Sequence, residues 1–376
     1  MKYYLVAGEA SGDLHGANLM KALKQQDPQA EFRFFGGDLM KAEGGELIKP
    51  YSEMAYMGLV EVVFNIRTIL RNMETCKRDI LAWQPDALVL IDFPGFNLKI
   101  AEFAKKNGVL VCYYISPKVW AWNEKRVHKI KAYVDHLFCI LPFEVDFYKK
   151  WGMKVDYVGN PLLDAIIAFK PNPNFQTEYQ LQGKKIIALL PGSRKQEINL
   201  ILGEMLAVSD KFPGYQFVVA GAPSFNTSFY TRFLKGKNIP VVFNSTYDLL
   251  SIAEAAIVMS GTASLETALF HVPELVVYKG NPIFIAVARI VVKVGYISLI
   301  NLILEKLSVK EFIQNDCTPE TMGAELDRIL NDKPYRRQMM DDYDRLDEKM
   351  GEPGASAHTA ELLIKYATER KTDVGN

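Results

Sequence analysis

Two short segments of this chain have the composition of anion-binding turns. Leu190-Pro191-Gly192-Ser193-Arg194-Lys195 joins an apolar run to a helical pattern that begins near Gln196. Glycine lets a ligand approach the backbone closely, and a helix N-terminus offers unpaired N–H groups to an anion. Arg194 adds a planar fork of donors suited to phosphate. The plainer reading is a strand–helix turn with an exposed arginine. Ser260-Gly261-Thr262-Ala263-Ser264-Leu265-Glu266 follows the apolar run Ala256–Met259 and repeats the pattern. Glu266 falls one turn into the second helix. A carboxylate there accepts two hydrogen bonds from ribose hydroxyls, or else only complements the helix dipole. Together the two turns read as a nucleoside-diphosphate site, with Gly221-Ala222-Pro223 marking a third strand end at its border. Neither G-x-G-x-x-G nor a Walker sequence occurs, which weakens dinucleotide and ATPase readings.

The first half of the chain holds a different set. Gly8-Glu9-Ala10-Ser11-Gly12-Asp13 follows the run Tyr3–Ala7. It marks ligand space, unless Ser11 or Asp13 simply caps the next helix. Ile91-Asp92-Phe93-Pro94-Gly95-Phe96-Asn97 puts an aspartate at the end of an all-apolar run. That position suits acid–base work, while the alternative is a cap or turn. Ser116-Pro117-Lys118-Val119-Trp120-Ala121-Trp122 brings two tryptophans to another strand end. They can stack on a sugar, although core packing is the commoner use of tryptophan. The five histidines are scattered, so no metal site is expected. Asp342-Tyr343-Asp344 lies in a charged helical stretch and reads as a solvated face rather than a Mg²⁺ site.

These residues must be carried by regular elements. Apolar runs without polar alternation, such as Ala87-Leu88-Val89-Leu90-Ile91, belong to strands buried on both faces of a parallel sheet. They alternate with helical patterns at Leu14–Gln26, Leu59–Trp83 and Leu98–Lys106. Around Lys170-Pro171-Asn172-Pro173-Asn174 the texture turns polar and turn-rich, then the alternation restarts at Ile186–Leu190. The expectation is an α/β chain of two doubly wound Rossmann-like domains facing a cleft, with a helical C-terminus. The boundaries are 1–168, a linker at 169–183, and 184–351. Segments 57–71 and 283–304 are more apolar than one buried face needs and carry Arg67, Arg71, Arg289 and Lys293. They suit either a lipid surface or an acyl groove, or else the protein core.

Composition limits the alternatives. At roughly 150 residues per domain, 376 residues suggest two or three domains. Lys plus Arg and Asp plus Glu each total 44, so the balance argues against a protein that holds long nucleic acid. Four separated cysteines form no disulfide framework or zinc module and suit a reducing compartment. The N-terminal apolar run is too short for a signal peptide, and no stretch reaches about 18 uncharged apolar residues. A cytoplasmic chain that does not span a membrane is expected.

At these motifs the chain resembles the lipid-A-disaccharide synthase family, inverting glycosyltransferases of the two-Rossmann-domain, GT-B type. The resemblance runs through Ala7–Asp13, Met57–Val62, Ile91–Asn97, Ser116–Trp122, Leu141-Pro142-Phe143-Glu144, Leu189–Arg194, Ser260–Ala263 and Tyr296–Leu302, in family order. It implies transfer of a diacylglucosamine unit from UDP-2,3-diacylglucosamine to the 6-hydroxyl of 2,3-diacylglucosamine 1-phosphate. The products are a β-1,6 disaccharide phosphate and UDP. It also implies no cofactor, and peripheral attachment to the cytoplasmic face of the inner membrane. A homodimer with exchanged C-terminal segments is a further suggestion, and helix 352–370 is expected to return to the first domain. Asp92 becomes the base, with Arg194 and Ser193 on the diphosphate. Gly192, Gly221, Ser260, Gly261, Thr262, Ala263, Glu266 and Asn301 complete the UDP side. Glu9, Ser11, Gly12, Asp13, Asn97 and Trp120 line the acceptor side. Many members resemble Ile-Asp-x-Pro-Asp-Phe-Asn, whereas this chain has Gly95 at the second acid, which strengthens Asp92. A nucleotide-sugar 2-epimerase, a UDP-releasing hydrolase and a two-lobed binding protein are the rival readings.

Overall fold

The computed structural model describes residues 1–54, 65–281 and 295–375. The chain divides into two units, one of Met1–Asp164 with Glu352–Asn376 and one of Ala165–Gly351. The first is built on β1 (Lys2–Ala7), β2 (Glu31–Gly36), β3 (Glu46–Pro50), β4 (Ala87–Ile91), β5 (Val111–Tyr114), β6 (His136–Cys139) and β7 (Asp156–Tyr157). These strands pair in parallel in the order β3-β2-β1-β4-β5-β6-β7. The second contains β8 (Lys185–Leu190), β9 (Tyr215–Gly221), β10 (Val241–Phe243), β11 (Ala253–Met259), β12 (Glu274–Tyr278) and β13 (Glu311–Ile313). Its order is β10-β9-β8-β11-β12-β13, again all parallel.

Both sheets are doubly wound, and each reverses direction once, between β1 and β4 and between β8 and β11. Ligands of open parallel sheets sit beyond the strand carboxyl ends at such a reversal. The strands there are apolar on both faces because helices cover both. All five residues of β4 are buried. The first sheet carries one buried cluster on each face, containing Tyr3, Leu5 and Val89 on one side and Tyr4, Val6 and Leu90 on the other.

The C-terminal helix Ala355–Gly375 completes the first unit. Ala360, Leu363 and Ala367 join the cluster of Tyr3, Leu5 and Leu23. Tyr366 stacks on His136 with ring centroids 3.5 Å apart, and its hydroxyl donates to Asp156 at 3.0 Å. The Gly354 N–H donates to Asp164, which ties the returning chain to the end of the unit's first segment.

Residues 169–183 differ from the expected linker. Phe175 and Leu181 are buried in the second unit's core, and Phe169 packs edge-on against Tyr247. Polar turn residues dominate the composition there, but these apolar side chains are inserted between them. Asp342 also departs from the expected solvated face, since it is 1% exposed and pairs with Lys306 at 2.7 Å. The short strands β3 and β13 lacked an apolar signal, having charged ends and half-buried positions. All four cysteines are free and buried. Among the described residues no helix is long and apolar enough to cross a membrane. The expected apolar stretches at 57–64 and 283–294 lie outside the described residues.

Leu363→Ala should destabilise the first unit by about 2–4 kcal/mol, because a fully buried leucine leaves a cavity. Urea denaturation checks this, and a loss under about 1 kcal/mol would contradict the docked helix.

Candidate functional site

At the reversal of the first sheet, the loops after β1 and β4 are in contact. A side chain on Gly8 would place its Cβ 2.2 Å from the Phe93 ring, so only glycine permits this approach. Asp92 and Phe93 both have left-handed backbone, with φ of 43° and 49°. Such conformations cost on the order of 1–3 kcal/mol each in non-glycine residues and persist only when the surroundings impose them. Here the surroundings are explicit. The Asp92 N–H donates to the Tyr114 carbonyl at 3.1 Å, continuing the sheet. The Asp92 carbonyl accepts from the Tyr113 hydroxyl and from Asn97 Nδ2, the latter at 2.8 Å. Asn97 Nδ2 also lies 3.2 Å from the Ile91 carbonyl and 3.3 Å from that of Val6.

This turn holds the Asp92 carboxylate half-buried beyond the sheet. Burial pushes its carboxyl above the ordinary range, the Lys118 ammonium opposes that, and Glu9 reinforces it. A carboxylate raised by burial is suited to accept a proton from an incoming hydroxyl.

The other residues expected on the acceptor side take several roles. Glu9 sits half-exposed at the start of helix Ala10–Gln26, and Ser11 is exposed on its first turn. Gly12 is buried against Ala7. Asp13 is not open to a ligand. Its carboxylate accepts from the backbone N–H groups of Gly37 at 2.7 Å and of Leu39 and Met40 at 3.1 Å. It therefore fixes the loop after β2. Asn97 is likewise fully buried and holds the Asp92 backbone instead of facing substrate. Trp120 is only 8% exposed, stands edge-on to Phe143 at 4.9 Å, and donates its indole N–H to Glu144 at 3.1 Å. A ring so enclosed offers no face to a sugar.

Glu144 was not read as a functional position. It is 1% exposed and accepts from Trp120 and from the backbone N–H groups of Ile140 and Leu141. Burial outweighs these donors and pushes its carboxyl up to about 7. Beside it, the hydroxyls of Ser116 and Tyr148 are 2.8 Å apart. These buried contacts pin the segment that carries Lys118. The sequence signal was Pro142 at a helix start with glutamate two residues on, a pattern of N-terminal capping.

In the second unit the same construction recurs with different residues. Gly192 has φ of 95°, and a Cβ there would meet Glu197 at 2.8 Å and Met259 at 3.3 Å. Glycine thus lets the loop after β8 pack against the end of β11 and the first turn of its own helix. Ser193 and Arg194 are exposed, and the guanidinium pairs with Glu197 at 2.9 Å. Helices Lys195–Val208 and Thr262–Leu269 both begin without a side-chain cap, with Arg194 and Gly261 at the cap positions. Their first N–H groups suit an anion. Thr262 and Gly261 are exposed and Ala263 is half-buried. The Ser260 hydroxyl is engaged, donating to the Ile297 carbonyl at 2.8 Å. Gly221 packs against Phe243, its virtual Cβ lying 2.5 Å from that ring.

Asn301 is engaged within its own unit rather than open to a ligand. It is fully buried, donates to the Val309 carbonyl and Glu311, and accepts from the Ser308 and Val309 N–H groups. Every position of its amide is in use. Glu266 lines a cavity of about 310 Å³ together with Phe169, Asn244, Tyr247 and Asp248. No group of three or more His, Cys, Asp or Glu among the described residues is placed to hold a metal ion.

Two doubly wound parallel sheets, each reversing once with a glycine at the reversal loop, make up a fold of the GT-B class. Solved structures agree on the fold. UDP-GlcNAc 2-epimerase from Neisseria meningitidis, bound to UDP-GlcNAc, matches with a TM-score of 0.68 at 13% identity, covering 97% of this chain and 100% of that one. Phytolacca americana UGT2, complexed with UDP-2fluoro-glucose and pterostilbene, matches at 0.62 and 13% identity, covering 98% and 99%. In sequence, the lipid-A-disaccharide synthetase family model matches residues 3–364. The lipid-A-disaccharide synthase of Trichlorobacter lovleyi is 37% identical over 372 residues, 97% of each chain. The chain belongs to the lipid-A-disaccharide synthase family.

Because burial raises Glu144, the folded chain holds a proton that the unfolded chain has released. Stability is then full below pH 4.5 and declines as pH rises to about 7. The decline from this residue is at most about 3 kcal/mol. Urea midpoints of wild type and Glu144→Gln, taken from pH 5 to 7.5, should show the slope in wild type and its loss in the variant. Parallel curves would contradict it.

Proposed function

We propose that this glycosyltransferase, which condenses UDP-diacylglucosamine with lipid X in lipid A synthesis, works by one inverting displacement with Asp92 as base. The observation that carries the reading is the Asp92 carboxylate, half-buried on a left-handed turn that Asn97 and Tyr113 hold in place. Asp92 takes the proton from the acceptor 6-hydroxyl as that oxygen attacks the anomeric carbon. The bond from this carbon to the diphosphate oxygen breaks, and UDP leaves with the electron pair. Arg194, Ser193 and the N–H groups opening helix Thr262–Leu269 receive the growing negative charge. Glu266 takes the ribose hydroxyls. Glu9 and Ser11 border the acceptor.

The same reading includes peripheral contact with the cytoplasmic face of the inner membrane, and a homodimer. Helix Ile66–Trp83 supports the first. Its opening turns expose Ile66 and Leu70 at 45% and 53%, beside the exposed Arg67 and Arg71. Apolar side chains flanked by basic ones suit an anionic lipid surface.

UDP release in detergent micelles, with chelator present and with or without the acceptor, tests the reaction. Release that requires the acceptor, with a disaccharide phosphate in the mass spectrum, is the expected result. Release without acceptor would mean a hydrolase. Asp92→Asn should lower turnover by roughly a hundredfold or more while the Kd for UDP stays unchanged. Near-normal turnover would remove Asp92 as the base. Arg194→Ala should weaken UDP binding and turnover together, each by roughly tenfold or more. Unchanged values for both would take it out of the phosphate site.

A further inference from the structure

The cavity beside Glu266 has features that the reaction alone does not require. Its volume of about 310 Å³ lies at the small end of ligand pockets, which span roughly 300–1,000 Å³. That suits a nucleoside better than an acylated sugar. Its acidic groups, Glu266 and Asp248, disfavour a phosphate and favour a neutral ligand rich in hydroxyl donors.

Tyr247 controls the presentation of the carboxylate. Its hydroxyl donates to Glu266 Oε1 at 2.8 Å. The ring is held edge-on to Phe169 at 5.5 Å and tilted against Phe270 at 4.9 Å. Phe169 belongs to the segment that the Asn172 N–H fastens to Asp248 at 2.7 Å. Among the described residues no other side chain donates to the Glu266 carboxylate. Burial raises this carboxyl and the tyrosine hydroxyl opposes the rise. A carboxylate has about four acceptor positions, and Tyr247 uses one of them. The remainder can take both hydroxyls of a cis-diol.

We propose that Tyr247 is a positioning residue that orients Glu266 toward a ribose cis-diol, making the cavity selective for ribonucleoside over 2′-deoxyribonucleoside diphosphates. The proposal rests on the assignment of Glu266 to the ribose. A 2′-deoxy ligand leaves part of a half-buried carboxylate without a donor, and an unsatisfied buried acceptor is costly. Tyr247→Phe keeps the ring packing and removes only the hydroxyl that fixes the carboxylate.

The test is calorimetric titration of the full chain with UDP and with 2′-deoxy-UDP. Wild type should bind UDP tighter by about tenfold. Tyr247→Phe should weaken UDP by about fivefold and 2′-deoxy-UDP by less than about twofold, so that most discrimination disappears. Glu266→Gln should reduce discrimination similarly, and provides the same comparison if the tyrosine variant folds poorly. Equal weakening of both nucleotides in Tyr247→Phe would mean a purely structural tyrosine and overturn the proposal, as would unchanged discrimination. Wild type that binds neither nucleotide would overturn the nucleotide reading itself.

Discussion

A single buried amide holds the first site together. Asn97 lies on the helix after β4, yet its Nδ2 is directed back to the carbonyls of Val6, Ile91 and Asp92. Those carbonyls end the two strands at which the sheet reverses. Two successive non-glycine residues with positive φ would not stay in that conformation on their own. They stay because the backbone on both sides is engaged, through Tyr114 on the amide and through Asn97 and Tyr113 on the carbonyl. The buried hydrogen bonds offset the strain locally, and the acid is left standing clear of the helix that follows. If Asp92 had ordinary helical geometry, its side chain would belong to that helix's first turn.

The second unit reaches an equivalent arrangement by other means. Its loops close on glycine, with Gly192 at φ 95°. No charged residue stands at the positive-φ position of that loop. Arg194 follows it on extended backbone with φ −101° and ψ 137°, exposed and paired with Glu197. The difference fits the chemistry proposed for each unit. A base acting on one hydroxyl must be positioned to within a fraction of an ångström. An anion shared by many N–H donors and one long guanidinium side chain tolerates a looser frame.

Much of this was legible in the sequence. Parallel strands buried on both faces leave unbroken apolar runs, so β1, β4 and β8 were visible to within one residue at their ends. The loops beyond those strands were visible too, through glycine and polar residues where apolar runs stop. Side-chain direction was not visible. Asp13, Asn97, Trp120 and Asn301 all occur in motif blocks, and all four point into the protein. A polar residue beside a site reads the same in sequence whether it meets the ligand or supports the loop that does. Asn301 shows how complete the second use can be, since its amide closes the turn at Ser308 and Val309 and also holds Glu311. Phe169 was hidden for the opposite reason. Prolines and asparagines around it imitate a linker, while the aromatic ring walls a cavity.

Gly95 bears on the base in a way that sterics alone do not explain. Nothing lies within 4 Å of a Cβ built on it, and its backbone does not call for glycine. It occupies the first turn of helix Pro94–Lys106, where an acidic side chain would gain from the helix dipole. The space and the local electrostatics would therefore accept the second acid that the family resemblance places there. Its absence changes the charge around Asp92. A neighbouring carboxylate would raise the Asp92 carboxyl further, as like charges sharing a site do. In this chain Glu9 is the acidic neighbour that raises it, and Lys118 opposes that effect. A base in that balance is ionised more readily than one paired with a second acid. On the proposed reading of Asp92 as the base, no second acid would be needed to share the proton.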